Sequence, residues 1–578
     1  MKKTFQYSIA AVLLLTGYTK TFAQKQDDNI GTEVVNVVKP YTPSISDAFK
    51  VKETPTLEDE ETSKKENIQY NIFSFPVAST FTPSKGKAAN VDKSPEEKIF
   101  SNYVTLAAGN YGTVNAELFV TENVSNTDYF GGMLRHSSSQ GGIKDTALDD
   151  KFFNTALDLT YGSRTKAMSW NADFGYKHQI YNWYGIYPGI FDEATTDAIN
   201  EQQTYYTLYL GGRLALGDSF LKESSLKFSR FWDAYGSAEN RFVAKPSLEF
   251  DIVEQKIKAD FVLDYIGGSF DQTYFGGASY KYGFTNFGFQ PSIKIHKDDL
   301  TVNVGVGFFY SAAQEAGENK FFIYPQVTGS YKVVGDLMIF YAGLEGSLQQ
   351  NSYHDFVQEN FFVSPTLGVA PTDQKYDIYA GLKGKLASSI SYNIRGSYKN
   401  EENKPLFKSN GYDYFNANTD GYAYANSFDV VYDNIKTVSF FGELKADFSK
   451  NVSFGVNGTF SSYTTDVQKE AWNLPSVKLS TNLDVTITPK WYAGTSLFFV
   501  GERKDVFRQY SVTTPYPDEF VTLKSYFDLN AHVGYKYSER LTFFLKGNNL
   551  ANQDYQRWLN YPVQGLQIMG GASYKFDF

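Results

Sequence analysis

The chain contains no cysteine, so disulfide bridges and thiolate metal sites are excluded. Its 5 histidines are scattered and never stand at the spacing of metal ligands. Beyond the N-terminus no apolar run reaches the roughly 18 residues that a membrane-spanning helix needs. The net charge is −10 and basic residues do not cluster, which argues against nucleic acid as a partner.

The N-terminus predicts export from the cytoplasm. Two lysines precede the apolar run YSIAAVLLL, and the small residues Thr21 and Ala23 occupy the −3 and −1 positions of a cleavage site before Gln24. We therefore predict a signal peptide over residues 1–23. The apolar run is too short to span a bilayer, and the absence of a following cysteine excludes a lipoprotein anchor.

Aromatic residues and alternating segments are what the chain has in abundance. Aromatics make up 17% of the residues, with 44 Tyr and 49 Phe. In FFNTALDLTY, Phe153 and Leu157 fall on one face and Asn154 and Asp158 on the other. The segments KIKADFVLDY and YFDLNAHVGYKY repeat this pattern, which is the signature of β-strands.

A soluble β-sandwich would alternate as well, but three features favour a membrane barrel. The segments run about ten residues or more, whereas soluble strands usually have five or six. Aromatic residues recur near segment ends, as in TPKWYAG, and the opposite face repeatedly carries Lys, Asp and Asn. We predict an all-β protein: a large transmembrane antiparallel β-barrel of about 22 strands over residues 99–578, in contact with lipid of a Gram-negative outer membrane.

Short turns such as KYSERLT alternate with long polar connections in this part of the chain. Barrels of this type place short turns in the periplasm and long loops outside the cell. The long connections are predicted at residues 139–150, 185–202, 353–375, 400–425 and 503–523. The Tyr- and Asn-rich connection at 400–425 has a composition suited to contact with sugars or small polar ligands, but we favour the alternative of an adaptable surface loop.

The last strand alternates three aromatic residues toward the outside and ends on one of them: Tyr574, Phe576 and Phe578. This ending resembles the signal that outer-membrane barrels present to the barrel-assembly machinery, which is therefore an expected partner.

The block before that strand resembles the C-terminus of TonB-dependent receptors, which reads N-L-x-N-x-x-Y, then a Pro/Gly-containing loop, then the closing strand. The matching residues are Asn549, Leu550, Asn552, Tyr555, Tyr561, Pro562 and Gly565. The resemblance covers only residues 545–578, and any large barrel also needs a terminal hairpin. It implies a 22-stranded barrel that imports a solute.

The chain departs from that family ahead of the barrel. TonB-dependent receptors carry a globular plug there, whereas residues 24–98 are too few for one, and the charged, Pro-interrupted stretch 24–67 has no core-forming composition. We predict a largely extended segment over 24–98, in which residues 70–83 (YNIFSFPVASTFTP) dock inside or beneath the barrel. The wide lumen could be filled by this segment, by a separate protein or by the extracellular loops; we favour the segment together with the loops.

One short run in this segment has the position and β-branched content of a Ton box, the stretch by which the family adds a strand to TonB. Its residues are Glu33, Val34, Val35, Asn36, Val37 and Val38. Pro40 would end the pairing, because proline lacks a backbone N–H. TonB or another periplasmic protein is thus an expected partner, and a simple spacer is the alternative.

The sequence is consistent with two functions, of which we predict the first. The first is a receptor that binds and imports a scarce small solute, such as a chelate or glycan, with a surface lipoprotein as a further partner. The second is a non-transporting scaffold whose N-terminal tail recruits a periplasmic or lipoprotein partner for envelope assembly or secretion. We predict no enzyme, cofactor or metal site, since the only local candidate is His136 beside Ser137, Ser138 and Ser139 in a predicted loop.

Overall fold

The computed structural model describes residues 98–252, 255–315, 317–413, 418–510 and 518–578. The predicted signal peptide and the Ton-box-like run lie outside the described residues. Among the described residues, no helix combines the length and the apolar character needed to cross a membrane.

Antiparallel strands form one closed sheet of 22 strands, which confirms the predicted fold. Each strand pairs with the next one in the chain, and the last strand pairs with the first. In chain order the strands are β1 Asn102–Gly109, β2 Val114–Asn123, β3 Asp128–Ser139, β4 Phe152–Arg164, β5 Met168–Asn182, β6 Gln202–Leu216, β7 Leu221–Asp233, β8 Ala238–Ile252, β9 Gln255–Phe270, β10 Tyr280–Lys297, β11 Leu300–Ala313, β12 Lys320–Val334, β13 Met338–Gln349, β14 Thr372–Ala387, β15 Ile390–Ser409, β16 Phe428–Ser449, β17 Val452–Thr465, β18 Val477–Thr486, β19 Trp491–Val500, β20 Tyr526–Lys536, β21 Leu541–Asn548 and β22 Gln567–Phe576.

The predicted alternation separates an apolar outer face from a polar lumen. In β4, Phe153 and Tyr161 are exposed on the outer face. Asp158 points the other way and accepts a hydrogen bond from the Tyr209 hydroxyl at 2.7 Å. Because lipid surrounds such a barrel, exposed aromatic and aliphatic side chains on the outside are contacts with the membrane rather than with water.

The closing pair of strands joins the two ends of the ring. The register runs from Asn102 opposite Phe576 to Gly109 opposite Met569. On the lumen side Thr105 Oγ1 donates to Ser573 Oγ at 3.0 Å. No edge strand is left, so the backbone groups of β1 and β22 are paired within the sheet.

The three C-terminal aromatics follow the predicted outward alternation. Tyr574 and Phe578 are exposed on the outer face, and Phe576 lies between them, 6.4 Å and 5.5 Å from their ring centroids. Their role as an assembly signal stays a prediction.

The two rims of the barrel differ in loop length. The rim at which β1 begins and β22 ends has short turns, such as Asp298–Asp299 between β10 and β11. The opposite rim carries the long loops and is therefore extracellular. These loops contain the helices α1 Glu193–Ala198 and α2 Tyr353–Glu359, the 3-10 turn Asn110–Gly112, and the short pairs Tyr412–Asp413 with Gln509–Tyr510, Arg503–Phe507 with Glu519–Leu523, and Gln556–Trp558 with Tyr561–Pro562.

The loop predicted at 400–425 is wrong in its first part, because β15 continues to Ser409. The polar sequence EENK suggested a loop, but Lys404 Nζ lies 2.6 Å from Glu401 Oε2, and both side chains are buried. The ion pair lets a charged sequence remain in a strand that extends above the membrane. Leu406 and Phe407, farther along the same strand, are buried as well.

Two adjacent residues in the middle of β16 test the assignment of faces. Phe440 is 54% exposed on the outer face, whereas Phe441 shares the lumen face of Arg395. Phe440→Lys is expected to lower the free energy of unfolding in lipid vesicles by about 2–4 kcal/mol, because it places a charge in hydrocarbon. Phe441→Lys, the matched control, should lower the free energy of unfolding clearly less. If a denaturant titration shows the same decrease for both variants, the assignment of faces is wrong.

Candidate functional site

The long extracellular loops turn into the mouth of the barrel and share a buried core with its wall. We call residues 183–201, 350–371, 410–427, 501–525 and 549–566, as far as they are described, the loop cap. Its main core contains loop side chains, namely Tyr353, Phe356, Val357, Val363, Leu367, Val369, Leu523, Trp558, Leu559 and Tyr561, and wall side chains, namely Tyr205, Phe231, Ile266, Phe270, Tyr282, Phe284, Phe407, Phe428 and Val430. The loops thus occupy the extracellular end of the lumen, which was one of the three predicted solutions.

Helix α2 is the most deeply anchored part of the loop cap. Ser352 caps its N-terminus by accepting the backbone N–H of Asp355 on Oγ at 2.9 Å. Tyr353 is fully buried, and its backbone N–H donates to Glu239 Oε2 at 2.6 Å while its hydroxyl donates to Asp233 Oδ2 at 2.7 Å. Both carboxylates belong to the wall, so the first turn of α2 is fixed to β7 and β8.

Charged groups hold the next turns of α2 to the wall. Arg241 in β8 donates to Asp355 Oδ2 at 3.1 Å, and Lys177 in β5 donates to Gln358 Oε1 at 2.5 Å. Burial alone would raise the pKa of Asp355, but the hydrogen bond and charge of His354 and the charge of Arg241 lower it to about 2. Asp355 is therefore ionised at neutral pH and available to the guanidinium.

Loop 350–371 crosses the mouth rather than staying near its own strands. It starts after β13, yet Phe361 stacks on Tyr181 of β5 with ring centroids 3.8 Å apart, and the carbonyl of Phe361 accepts the Tyr205 hydroxyl at 3.0 Å. Farther along, the Gly368 carbonyl accepts the hydroxyl of Tyr432 from β16 at 3.0 Å. The loop therefore bridges distant parts of the wall.

The family-like C-terminal motif forms the base of loop 549–566. Asn549 Nδ2 donates to the carbonyls of Gln553 and Gln564 at 3.0 Å each, and its Oδ1 accepts the Gln553 N–H at 3.0 Å. Asn549 and Asn552 have φ values of 46° and 47°, a region that asparagine tolerates better than most residues. A Cβ at Gly565 would lie 2.6 Å from Asn552 Oδ1, so a side chain there would displace the oxygen that accepts the Leu566 N–H.

Two further motif residues fix this loop to β20. The backbone N–H of Leu550 donates to the Leu529 carbonyl at 2.8 Å. The Tyr555 hydroxyl donates to Asp528 Oδ2 at 2.9 Å, and its ring stacks on Tyr526 with centroids 3.9 Å apart.

The last motif residues connect loop 549–566 with the other loops. The buried ring of Tyr561 stacks on Phe362 of loop 350–371 with centroids 3.7 Å apart, and its hydroxyl donates to the Asn426 carbonyl. The Pro562 carbonyl accepts the Tyr184 hydroxyl at 2.9 Å. The seven motif residues thus all lie in loop 549–566, where Asn549, Tyr555 and Tyr561 hold the loop to itself, to β20 and to the other loops.

A buried carboxylate lies where β15 meets the hairpin of Arg503–Phe507 and Glu519–Leu523. Asp505 is fully buried, and its Oδ2 accepts Asn473 Nδ2 at 2.7 Å while its Oδ1 accepts the Ser409 N–H at 3.0 Å. Burial raises the pKa of Asp505 to about 6. Sequence reasoning missed this residue, because KDVF carries no signal of burial.

The only local candidate for catalysis has a different setting from the predicted one. His136 lies in β3 and not in a loop, because that strand continues to Ser139. Its Nδ1 lies 2.9 Å from Thr155 Oγ1 and its Nε2 3.0 Å from Ser138 Oγ, both of them hydroxyls. In the described part of the chain, no group of three His, Asp or Glu could hold a metal ion.

Comparison with solved structures identifies the fold. Neither a family model nor a curated protein matches the chain. The FrpB iron transporter from Neisseria meningitidis is similar with a TM-score of 0.62 and 10% identity, over 83% of this chain and 82% of that one. The siderophore receptor PirA from Acinetobacter baumannii has a TM-score of 0.60 and 11% identity, over 82% of this chain and 80% of that one. The ferripyoverdine receptor of the outer membrane of Pseudomonas aeruginosa has a TM-score of 0.59 and 12% identity, over 84% of this chain and 72% of that one.

These similar structures are TonB-dependent receptors, and they are transport receptors rather than enzymes. The chain therefore has the barrel fold of that class of Gram-negative outer-membrane proteins. At identities of 10–12% the likeness concerns the fold alone.

The hydrogen bonds of Asn549 lead to a proteolysis experiment. Asn549→Ala should make local opening of loop 549–566 easier by about 2 kcal/mol, because it removes several hydrogen bonds and strains a positive φ. Tryptic cleavage after Arg557 should then accelerate roughly thirtyfold. Asn451→Ala, in an exposed periplasmic turn, is the control and should leave the cleavage rate unchanged; equal rates in both variants would refute the role of Asn549.

The raised pKa of Asp505 leads to a pH dependence. Its pKa in the folded chain exceeds the unfolded value, so stability is fully present below about pH 4 and is lost as pH rises through about 6. Between these limits the hairpin should lose up to about 3 kcal/mol of local stability. Hydrogen exchange at the Ser409 and Val506 amides, corrected for intrinsic rates, should show this loss, and Asp505→Asn should abolish the pH dependence. A pH dependence that survives the substitution would assign it to another group.

Proposed function

We propose that this chain is an outer-membrane receptor that imports a scarce small solute with energy supplied by TonB. The observation that carries the proposal is the loop cap: a barrel of 22 strands has its mouth occupied by a packed core of its own loops. Barrels that serve as passive pores keep a water-filled channel, whereas the 22-stranded outer-membrane transporters have a filled lumen, and the capped mouth supports the second class.

The Ton-box-like run is the candidate entry point for that energy. Strand addition uses main-chain hydrogen bonds and asks little of side chains, so the β-branched residues from Glu33 to Val38 suit it. The run lies outside the described residues, and the proposal for it rests on its position and composition.

A metal chelate is the substrate class that the comparisons favour over a glycan. The three similar structures are named as an iron transporter, a siderophore receptor and a ferripyoverdine receptor. Recognition by the barrel-assembly machinery and contact with a surface lipoprotein remain further proposals for the same protein.

Capture and uptake measurements test the proposal together. The periplasmic domain of TonB should retain the full-length chain, and Val35→Pro should abolish this binding, because proline removes a backbone donor from the added strand. Cells that carry Val35→Pro should take up a labelled ferric chelate at least about tenfold more slowly. Ala88→Pro, outside the run, should change neither result.

The outcomes also separate the receptor from the scaffold. A full-length chain that neither binds TonB nor supports uptake would refute the receptor. Retention of a different periplasmic protein by the same tail would then favour the scaffold.

A further inference from the structure

A groove of about 490 Å³ lies on the lumen wall at the periplasmic end, opposite the loop cap. It runs across β2 to β5 and reaches the turn at residues 124–127. Its open surface includes the apolar side chains of Phe119, Tyr129 and Met133. Its volume lies in the range of about 300–1,000 Å³ that is usual for clefts that bind ligands.

Glycines in the wall give the groove its depth. A Cβ at Gly162 would lie 2.6 Å from the Tyr129 hydroxyl, so the ring of Tyr129 lies directly over this glycine. The Arg164 guanidinium is 4.6 Å from the centroid of the same ring. At Gly131 a Cβ would lie 2.9 Å from a methyl group of Thr160. The missing side chains at Gly162 and Gly131 thus leave room for the hydroxyl end of Tyr129 and for Thr160.

The carboxylates beside the groove already have partners in the wall. Asp158 accepts Arg135 Nη2 at 2.6 Å. Asp173 accepts the Thr160 hydroxyl and Asn171 Nδ2, each at 2.7 Å. Both carboxylates line the groove and keep their bonds within the wall, while Phe119, Tyr129 and Met133 supply the apolar part of its surface, which can receive uncharged apolar side chains.

The chain itself enters the barrel beside this groove. Asn102, the first residue of β1, accepts the backbone N–H of Thr121 on Oδ1 at 2.7 Å, and Thr121 lines the groove. Tyr103 stacks on Phe119 with ring centroids 5.6 Å apart. The segment that precedes β1 therefore reaches the rim of the barrel one strand away from the groove.

We propose that the groove binds residues 70–83 of this same chain in an extended conformation. No charged residue occurs from Glu66 to Lys85 apart from these two ends, although the rest of the tail is rich in charges. Phe73, Phe75 and Val77 recur at period two, so an extended chain presents all three on one face. That face matches the apolar surface of the groove.

The linker allows this docking. Residues 84–97 separate the segment from the first described residue, and an extended chain of that length spans up to roughly 45–50 Å. The groove begins at the same rim as β1, so the linker needs only to turn back into the lumen. The inference does not depend on solute import, because a receptor and a scaffold would carry the segment alike.

Paired cysteines test the contact directly, because the chain has none of its own. Met133→Cys is combined in turn with cysteine at Phe73, Phe75, Val77 or Phe81 in the full-length barrel, at high dilution. Tryptic peptides joined by a disulfide within one chain are expected for at least one pair. Leu134→Cys, the neighbouring position on the outer face (42% exposed), is the matched control and should give none.

A labelling rate provides a second readout that does not depend on the exact pairing. A water-soluble maleimide should react with Met133→Cys at least about tenfold faster when Phe73→Asp and Phe75→Asp prevent docking. Ser74→Asp with Thr80→Asp, which adds the same charge to the opposite face, should leave the rate unchanged. The rate at which the maleimide labels Leu134→Cys should be the same with either pair of aspartate substitutions as without them.

Three results would overturn the proposal. They are the absence of any cross-link to Met133→Cys, equal cross-linking of the Leu134→Cys control, and disulfides that form only between chains, which would point to a second copy as the occupant. If Phe73→Asp and Phe75→Asp leave the labelling rate of Met133→Cys unchanged, another protein or only solvent fills the groove.

Discussion

Closure of the ring is the constraint on which the other features depend. In hydrocarbon an unpaired backbone N–H or C=O costs several kcal/mol, so a membrane sheet must end by pairing its last strand with its first. Here β1 and β22 make that pair over the register from Asn102 to Gly109. Closing as many as 22 strands creates a lumen too wide for the side chains of the wall to fill. The interior therefore has to be filled from elsewhere.

The loop cap meets this requirement with two kinds of contact. Aromatic rings such as Tyr561 supply apolar area. Buried carboxylates such as Glu239 and Asp233 accept hydrogen bonds from Tyr353, which offset the free-energy cost of removing them from water. The asparagines at 549 and 552 bend the last loop so that its aromatics reach the same core. Among the described residues, it is the long loops that occupy the extracellular end of the barrel.

The barrel was predictable from sequence because strand faces follow a local rule. Phe153 and Asp158 fall on opposite faces by period two alone, and repetition of the pattern gave the strand number. The loop cap was not predictable in the same way. Tyr353 and Asp233 meet across 120 positions of sequence, so only the fold reveals their bond. The motif beginning at Asn549 was visible, but its packing role depends on partners in other loops.

The position of the closing pair, β1 and β22, has a mechanical consequence. The backbone N–H of Ser101 donates to Asp577 Oδ1 at 2.8 Å. Strand β1 begins at the periplasmic rim and is paired on both sides. A traction applied to the chain ahead of Lys98 would run along the axis of β1 and load both ladders of hydrogen bonds in shear, so that many bonds share the force at once. A pull along β1 is therefore opposed by both ladders together, so the ring resists opening at the pair of β1 and β22.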